Sequence, residues 1–478
     1  MRVTGEPDDC HRVVVIGGGM AGARLAQQLA RVPEVALTVV GEEPHPPYNR
    51  VLLAEVLAGR YAPEVIALPA APADRLSGVR AVRVDRDRRV VRVDDGRVVP
   101  YDTLVLATGS NPVLPPLRGL FRPDGGAPEA PGGGRELPAG VHAFRTMDDC
   151  LALGAAVRPG SRAVVIGGGL LGVSAARALA QRGAQVVLAH QGEHLMERQL
   201  DSGAARLLHD HMSALGVEVH TECRVRGLRT GPPGRDGEAA AADAGAAPPA
   251  GTDPAGAGRP PVAVRAVELA DGYALDADLV VLACGVRPRV GLARAAGITT
   301  ARGVVVDDEL RTSDPDVYAI GDCAEHDGVL YGLAGPAQEQ ADLLARVIAA
   351  RVAGPPAAAG PAGAGRPRYT GTRALTRLTL AGPGPAPGAD AAAPTAPGVL
   401  DLAAFGDPTP GPGDDVVRLS DATRNAYRKV VVRGDRLVGG ILFGDLGTVG
   451  ALARTWEGDE PLPSAPLLHL LTNDGGPR

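Results

Sequence analysis

The chain has 478 residues, 45% hydrophobic and 22% charged, which is the composition of a globular protein of about three domains. Its net charge of −6, with arginine dominant and lysine nearly absent, excludes a broad nucleic-acid surface. No stretch reaches the roughly 20 apolar residues that span a bilayer, and the N-terminus lacks the pattern of a signal peptide, so we expect a cytoplasmic protein with no membrane partner.

The first predicted strand, residues 13–16, leads into a glycine-rich turn and a predicted helix over residues 23–30. Gly17, Gly19 and Gly22 have the G-x-G-x-x-G spacing, which permits a tight turn, close approach of a pyrophosphate and packing of the helix on the strand. Glu42 ends the next apolar run, twenty residues after Gly22, where an acid binds ribose hydroxyls. The glycine spacing alone is weak evidence, but with this context it indicates a dinucleotide site.

A proline-broken segment follows and contains Arg50, which is either a contact to the cofactor or a solvated loop residue. Residues 79–99 alternate and predict short strands with a hairpin turn. A buried strand at 104–107 then ends at Thr108-Gly109, a place where backbone can approach a cofactor in a doubly wound sheet.

A second copy of the opening pattern begins 150 residues after the first. Residues 163–166 predict a strand, and Gly167, Gly169 and Gly172 repeat the glycine spacing before another predicted helix, over residues 174–181. Two such turns in the right context are far more specific than one. The second ribose position differs, because His190 stands where an acid is expected.

The rest of the chain alternates between ordered and low-complexity sequence. Residues 231–261 predict a disordered insertion. A strand ending at Gly285 follows, then one ending at Gly321-Asp322, whose carboxylate could accept a hydrogen bond from a cofactor hydroxyl. An alanine-rich helix over 337–351 precedes a tail of short strands between 375 and 443 and a last helix at 448–456, which predicts a small α+β domain.

The five cysteines are scattered, odd in number and without a C-x-x-C pair. This excludes a disulfide framework and argues against a zinc or iron–sulfur site formed by this chain alone. We therefore expect no metal site, and cysteines that are incidental rather than nucleophilic.

The order of glycine fingerprint, Ala107-Thr108-Gly109, second fingerprint and Gly321-Asp322 resembles the flavoprotein disulfide reductase superfamily over roughly residues 12–350. The resemblance implies an α/β protein with two Rossmann-like domains, FAD at the first fingerprint and NAD(P)H at the second. The implied FAD domain is discontinuous, 11–120 and 286–352, with the NAD(P) domain inserted at 141–285 and an α+β domain at 368–478.

A finer likeness is to the nitrite reductase large-subunit and rubredoxin reductase branch. It is carried by residues 47–53, 195–201, 331–334, 405–407 and 427–432. The candidate cofactor-binding residues are Gly17, Gly19, Met20, Ala21, Gly22, Glu42, Asn49, Arg50, Val82, Ala107, Thr108, Gly109, Gly321 and Asp322 for FAD, and Gly167, Gly169, Leu170, Leu171, Gly172, His190 and Gly285 for the nicotinamide cofactor.

Two departures refine the expected activity. No cysteine lies near residues 40–55, so a thiol relay is not expected, and Glu55 replaces the lysine found beside the flavin in many ferredoxin reductases. The chain ends at Arg478 without a siroheme domain, so we expect a reductase half that hands electrons to a siroheme, molybdopterin or iron–sulfur partner. No catalytic side chain is implied, since the flavin performs the chemistry.

The expected function is therefore that of an FAD-dependent NAD(P)H oxidoreductase, the electron-transfer subunit of an assimilatory nitrite or nitrate reductase. The alternatives are a ferredoxin or rubredoxin reductase of a monooxygenase system, an NAD(P)H oxidase, or a protein whose flavin is structural. An acid at the second ribose position would repel the 2′-phosphate of NADPH, and His190 removes that repulsion. Arg198 could then attract the 2′-phosphate. Alternatively, His190 only caps the strand and either nicotinamide cofactor is accepted. The α+β domain is either a lid over the flavin or a docking surface.

Overall fold

The computed structural model describes residues 10–121, 137–232, 262–354, 367–373, 375–380, 399–444, 446–462 and 471. The framework of these residues consists of two parallel five-stranded sheets and one antiparallel five-stranded sheet. The predicted α/β class is confirmed. The predicted insertion at 231–261 lies outside the described residues except for Gly231 and Pro232.

The first parallel sheet holds the first glycine turn at the carboxyl end of its central strand. With strands numbered along the chain, its spatial order is Val317–Ala319 (β19), Thr103–Leu106 (β7), His11–Ile16 (β1), Val35–Gly41 (β2) and Asp74–Ser77 (β3). Continuous apolar runs form these strands because both faces of a parallel sheet are buried. The helices Met20–Leu29 (α1) and Ala334–Val352 (α7) pack on each other and join the same core.

The second parallel sheet repeats this arrangement around the second glycine turn. Its spatial order is Val217–His220 (β12), Gln185–Ala189 (β11), Arg162–Ile166 (β10), Leu279–Leu282 (β16) and Val141–Ala143 (β9). Its helices are Met147–Ala156 (α3), Leu170–Gln181 (α4) and Ser202–Ala214 (α5).

The third sheet is antiparallel and comes from the C-terminal part of the chain. Its spatial order is Leu375–Leu380 (β21), Leu400–Gly406 (β22), Arg436–Phe443 (β25), Ala426–Arg433 (β24) and Asp415–Asp421 (β23), and the helix Val449–Glu457 (α8) packs beside it. The predicted tail of short strands and a final helix is confirmed.

Short elements connect these sheets. They are the antiparallel strands Ala81–Asp85 (β4), Val90–Val93 (β5) and Val98–Pro100 (β6), the antiparallel strands Val225–Gly231 (β13), Ala263–Leu269 (β14) and Ala274–Asp276 (β15), the pair Ser110–Pro112 (β8) and Val286–Pro288 (β17), the pair Val304–Val306 (β18) and Ala324–His326 (β20), and the helices Leu53–Leu57 (α2) and Gly291–Ala295 (α6). Three-residue or four-residue 3₁₀ turns lie at Arg50–Leu52, Pro63–Ile66 and Gly321–Cys323.

The helices begin earlier than the apolar pattern predicts. The helix predicted from residue 23 starts at Met20, and the helix predicted from residue 174 starts at Leu170, each directly after a glycine of the fingerprint. The reason is that a glycine in extended conformation is the N-cap of each helix, so the glycine turn is also the first helical turn.

One apolar core joins the second parallel sheet, the C-terminal sheet and the segment that follows β2. It contains Tyr48 and Leu57 from the segment after β2, Leu179 from α4, and Leu402 and Phe443 from the C-terminal sheet. The boundaries of the three predicted domains stay a prediction, because this core crosses between them. No helix in the part of the chain that the structure describes is long and apolar enough to span a bilayer.

Candidate dinucleotide-binding sites

The first glycine turn requires glycine at two of its positions for reasons internal to the fold. Gly17 has φ +120°, and a Cβ there would overlap the carbonyl oxygen of Ala107 at the end of β7. A Cβ on Gly22 would overlap the carbonyl oxygen of Gly17. The close approach of β1, β7 and α1 therefore depends on the absence of side chains at Gly17 and Gly22.

Gly19 serves a different purpose, because the space beside it is free of protein backbone. The nearest heavy atoms to a Cβ there belong to the Arg50 guanidinium, at 3.8 Å. Gly19 caps α1 without a side chain, so the amides of Met20 and Ala21 in the first helical turn receive no cap from it. Such bare amides and a nearby arginine fit the charge and shape of a pyrophosphate.

Four of the residues predicted to bind FAD, which are Arg50, Asp322, Gly321 and Ala21, are linked to this turn through contacts that include Arg145. Arg50 Nη1 donates to the carbonyl oxygen of Arg145 over 3.1 Å, and Arg145 forms an ion pair with Asp322. Gly321, next to Asp322, packs against the helix that follows the glycine turn, because a Cβ on Gly321 would lie 3.1 Å from the side chain of Ala21 in α1. Sequence positions that are distant in the chain therefore meet at one site.

Glu43 and Tyr48 fix the position of Arg50 within this set of contacts. Arg50 forms an ion pair with Glu43, whose other oxygen accepts a 2.6 Å hydrogen bond from the Tyr48 hydroxyl. The amide of Met147 donates to the same hydroxyl over 2.8 Å. Burial raises the pKa of Tyr48, so the phenol stays neutral and acts as donor and acceptor at once.

Arg289 joins the predicted ribose acid to the predicted strand-end turn. Its Nη1 lies 2.5 Å from Glu42 Oε2, and its backbone carbonyl accepts a 2.9 Å hydrogen bond from the Thr108 hydroxyl. Its amide donates to the carbonyl of Gly109, which has φ +68°. Glu42, Thr108 and Gly109 therefore belong to the same edge of the sheet.

Two of the predicted residues lie elsewhere in this region. The Asn49 side chain accepts from the amide of Val51 over 3.1 Å and so caps the 3₁₀ turn that carries Arg50. Val82 lies on β4 at a register shift, and its side chain is 43% exposed. The contacts of the described residues do not join either side chain to the glycine turn, and their cofactor contacts stay predictions.

The second glycine turn has the same internal geometry as the first. Gly167 has φ +116°, and a Cβ on it would overlap the carbonyl oxygen of Ala283 at the end of β16. A Cβ on Gly172 would overlap the carbonyl of Gly167, whereas a Cβ on Gly169 would meet no atom of the described chain within 4 Å. Leu170 and Leu171 occupy the first turn of α4. Gly285, with φ +93°, follows β16 as Gly109 follows β7.

His190 contacts the second turn directly. Its Nδ1 accepts a 3.1 Å hydrogen bond from the amide of Gly168, and a Cβ on Gly168 would lie 2.7 Å from the ring. Burial lowers the pKa of His190, although the charge of Glu197 opposes this shift. The neutral ring therefore acts as an acceptor at pH 7, whereas Arg198 is exposed.

Sequence analysis missed Arg145, Ser110, Glu43 and Arg289. The sequence could have pointed to Glu43, because this residue adjoins the predicted ribose-binding Glu42 in an acidic pair after β2. No sequence pattern points to Arg145, because it follows the short edge strand β9 of the second parallel sheet. It reaches the first site only in the folded chain.

The thiols nearest the two turns bind to the backbone of strand ends, because Cys323 Sγ donates to the carbonyl of Leu106 and Cys284 Sγ donates to the carbonyl of Ile166. All five cysteines are free. Burial raises the pKa of Cys323, and it raises the pKa of Cys150 to about 11, so neither is a thiolate at neutral pH. Among the described residues, no group of three or more acidic, histidine or cysteine side chains forms a metal site.

Two family models match the chain. The model for pyridine nucleotide-disulphide oxidoreductases matches residues 11–341, and the model for the rubredoxin NAD+ reductase C-terminal domain matches residues 399–455.

The chain is similar to two proteins of Bacillus subtilis (strain 168). The nitrite reductase [NAD(P)H] is 32% identical over 442 residues, which cover 91% of this chain and 46% of that protein. The assimilatory nitrate reductase electron transfer subunit is 31% identical over 442 residues, which cover 91% and 48%. The chain thus spans about half the length of these curated relatives.

The fold is similar to that of solved reductases. A chain in the crystal structure of the covalent putidaredoxin reductase–putidaredoxin complex superimposes with a TM-score of 0.71 at 22% identity, covering 96% of this chain and 98% of that one. At this identity the likeness concerns the fold alone.

Proposed function

The chain belongs to the pyridine nucleotide-disulphide oxidoreductase family, and we propose that it passes electrons from NAD(P)H, bound at the second glycine turn, through FAD, bound at the first, to a separate redox protein. It is an oxidoreductase that uses FAD and NAD(P)H. The proposed acceptor is the metal-containing part of an assimilatory nitrite or nitrate reductase, because relatives with those names cover most of this chain.

The observation that carries the proposal is the duplication of one backbone geometry. Gly17 and Gly167 make the same close approach to a neighbouring strand, and Gly19 and Gly169 each leave open space before a helix N-terminus. Each turn suits one pyrophosphate, so the chain has places for two dinucleotides.

The chain's own residues would bind and orient the cofactors. The amides of Met20 and Ala21 and the guanidinium of Arg50 would hold the FAD pyrophosphate, and Glu42 the ribose hydroxyls. When bound, FAD accepts a hydride from a nicotinamide and releases electrons singly to a one-electron acceptor. With no thiolate near the first site, the described residues offer no thiol route for those electrons.

Anaerobic mixing tests this function. We expect the purified yellow protein to lose its flavin absorbance quickly when NADH or NADPH is added. Electrons should then pass to a siroheme or molybdopterin protein co-purified with the chain. A flavoprotein that neither nicotinamide reduces would contradict the proposal and favour a structural flavin.

A ferredoxin acceptor is the second candidate. The ferredoxin–NAD(+) reductase component of the biphenyl dioxygenase system of Paraburkholderia xenovorans (strain LB400) is 31% identical over 319 residues, covering 65% of this chain and 67% of that protein. Glu55 counts against this candidate, because it stands where many ferredoxin reductases have a lysine beside the flavin. Here Glu55 forms an ion pair with the buried Arg177 of α4 and so stabilises the packing of α2 on α4. Rapid reduction of an isolated [2Fe–2S] ferredoxin, with none of a siroheme or molybdopterin protein, would favour this candidate.

A further inference from the structure

The segment Leu195–Asp201, here called the link segment, contacts the second glycine turn at its N-terminal end. The amide of Met196 donates to the carbonyl of Gly168 over 2.9 Å. A Cβ on Gly168 would lie 2.7 Å from the Leu195 side chain. The backbone position of Gly168 therefore depends on where the link segment lies.

The link segment is compact, and its apolar residues Leu195, Met196 and Leu200 are buried, whereas Glu197 and Arg198 are exposed. The Met196 carbonyl accepts hydrogen bonds from the amides of Gln199 and Leu200, at 2.8 and 2.9 Å. Met196 has φ +54° and is almost fully buried. A non-glycine residue seldom adopts this conformation, and the buried side chain and the two hydrogen bonds hold Met196 in it.

At its other end, the link segment meets the C-terminal sheet through Asp201. One carboxylate oxygen of Asp201 accepts from the amide of Ala204 and caps α5. The other accepts from the Tyr427 hydroxyl at 2.7 Å and from Lys429 Nζ at 2.9 Å, both on β24. Burial alone would raise the pKa of Asp201, but the hydrogen bond from Lys429 lowers it, so the carboxylate is ionised.

This contact is part of the packed interior of the protein. Lys429 is the only lysine in the chain, and its side chain is 11% exposed. A Cβ on Gly203 would lie 3.1 Å from the Tyr427 ring, so glycine at this position favours the close approach of α5 and β24. Tyr427 also shares an apolar core with Ala204 and Leu195.

We propose that the C-terminal sheet supports the nicotinamide site, and that Tyr427, Lys429 and Asp201 are positioning residues for NAD(P)H. The proposal rests on the proposed function, since it takes the second turn to be the NAD(P)H site. Contacts run from β24 through Asp201 and Met196 to Gly168. Removing the contacts at β24 frees the turn and lowers its affinity for the dinucleotide.

Lys429→Met and Tyr427→Phe test the proposal in the full-length flavoprotein. Anaerobic stopped-flow reduction over a range of NADH and NADPH concentrations gives the Kd for each and the limiting rate of flavin reduction. We expect the Kd to rise about 3- to 10-fold in each variant, with an unchanged limiting rate and FAD content. Lys429→Arg keeps a cation at Asp201 and should restore most of the affinity.

Arg433→Met is the control, because it removes a cation from the same strand whose partner, Asp414, directly precedes β23 and lies away from the link segment. It should leave both Kd values unchanged. Deuterium exchange gives a second reading, and the amides of residues 193–200 should exchange faster in Lys429→Met than in Arg433→Met.

Native Kd values and native exchange in folded Tyr427→Phe and Lys429→Met would overturn the proposal. Tyr427→Phe removes a single oxygen and keeps the ring packed, so it carries the test if Lys429→Met does not fold. A failure of the proposed function would be seen separately, as a wild-type flavoprotein that neither nicotinamide reduces.

Discussion

The guanidinium of Arg145 forms an ion pair with the carboxylate of Asp322, although 177 residues separate them in the chain. Ser110 completes the group, because its hydroxyl donates to Asp322 over 2.8 Å and accepts from Arg145 over 2.7 Å. The ion pair joins the end of β9, in the second sheet, to the turn after β19, in the first. It therefore closes the first dinucleotide site with a residue from outside the first sheet.

Asp322→Ala should weaken FAD binding about tenfold or more, because it leaves the half-buried Arg145 without its carboxylate and removes an acceptor from the site. The measurement is the Kd for FAD on reconstitution of the apoprotein, followed by quenching of flavin fluorescence. Ser110→Ala removes one hydrogen bond of the same group and should have a smaller effect. Equal affinities in Asp322→Ala and the wild type would show that the carboxylate has no part in FAD binding.

Gly169→Ala should weaken NAD(P)H binding at least tenfold without loss of stability or of FAD. The added methyl meets no described protein atom within 4 Å, so only a bound pyrophosphate would collide with it. Gly167→Ala should instead destabilise the fold, since its methyl overlaps the Ala283 carbonyl and its φ is positive. Thermal unfolding and anaerobic NADH titration of both variants separate the two effects. Native affinity in Gly169→Ala would place the dinucleotide elsewhere.

NAD(P)H affinity should fall at acid pH because of His190. Its pKa lies below the ordinary 6.5, so the neutral ring and its bond from Gly168 are intact above that pH and are lost as pH falls through the lowered pKa. Glu197 and His194 are the charged or titratable groups that act on the ring. His190→Asn keeps an acceptor that does not titrate, so its Kd should stay constant between about pH 5 and 7. His194→Asn is the control and should retain the acid dependence.

Glu55→Met should destabilise the protein by about 3 kcal/mol, because it leaves the positive charge of Arg177 buried without its carboxylate. Arg177 is 1% exposed, and burial lowers its pKa. The double variant Glu55→Met with Arg177→Met should recover most of the loss, which urea unfolding measures. Arg60→Met, which removes the more exposed partner of Glu55, should cost less than about 1 kcal/mol. If Glu55→Met alone were as stable as the double variant, the ion pair would not have this role in stability.

The glycine turns were predictable from sequence because their geometry is local. The residues from Gly17 to Gly22 and from Gly167 to Gly172 form a strand end, a turn and a helix start within a few positions, so the glycine spacing and the flanking strand and helix pattern together specify them. The helix starts were predicted three or four residues late, since apolar periodicity does not register a glycine N-cap.

The contacts around the turns were not predictable in the same way. Arg145 reaches Asp322, and Tyr427 reaches Asp201, only when sheets distant in sequence have packed together. The resemblance marked residues 195–201 and 427–432 as two separate segments, and the structure adds that they touch each other. A single sequence contains no measure of spatial proximity between them.

The apolar core that joins Tyr48, Leu179 and Phe443 makes the C-terminal sheet, the second parallel sheet and the segment after β2 interdependent. A fragment ending before the C-terminal sheet would expose the face of α4 and α5 that this sheet covers, and it would aggregate rather than behave as a free module. The second parallel sheet and the C-terminal sheet should accordingly melt together, with no separate calorimetric peak for the C-terminal part. A chimera that joins the C-terminal part to another reductase would therefore also need the residues of α4 and α5 that complete this shared core.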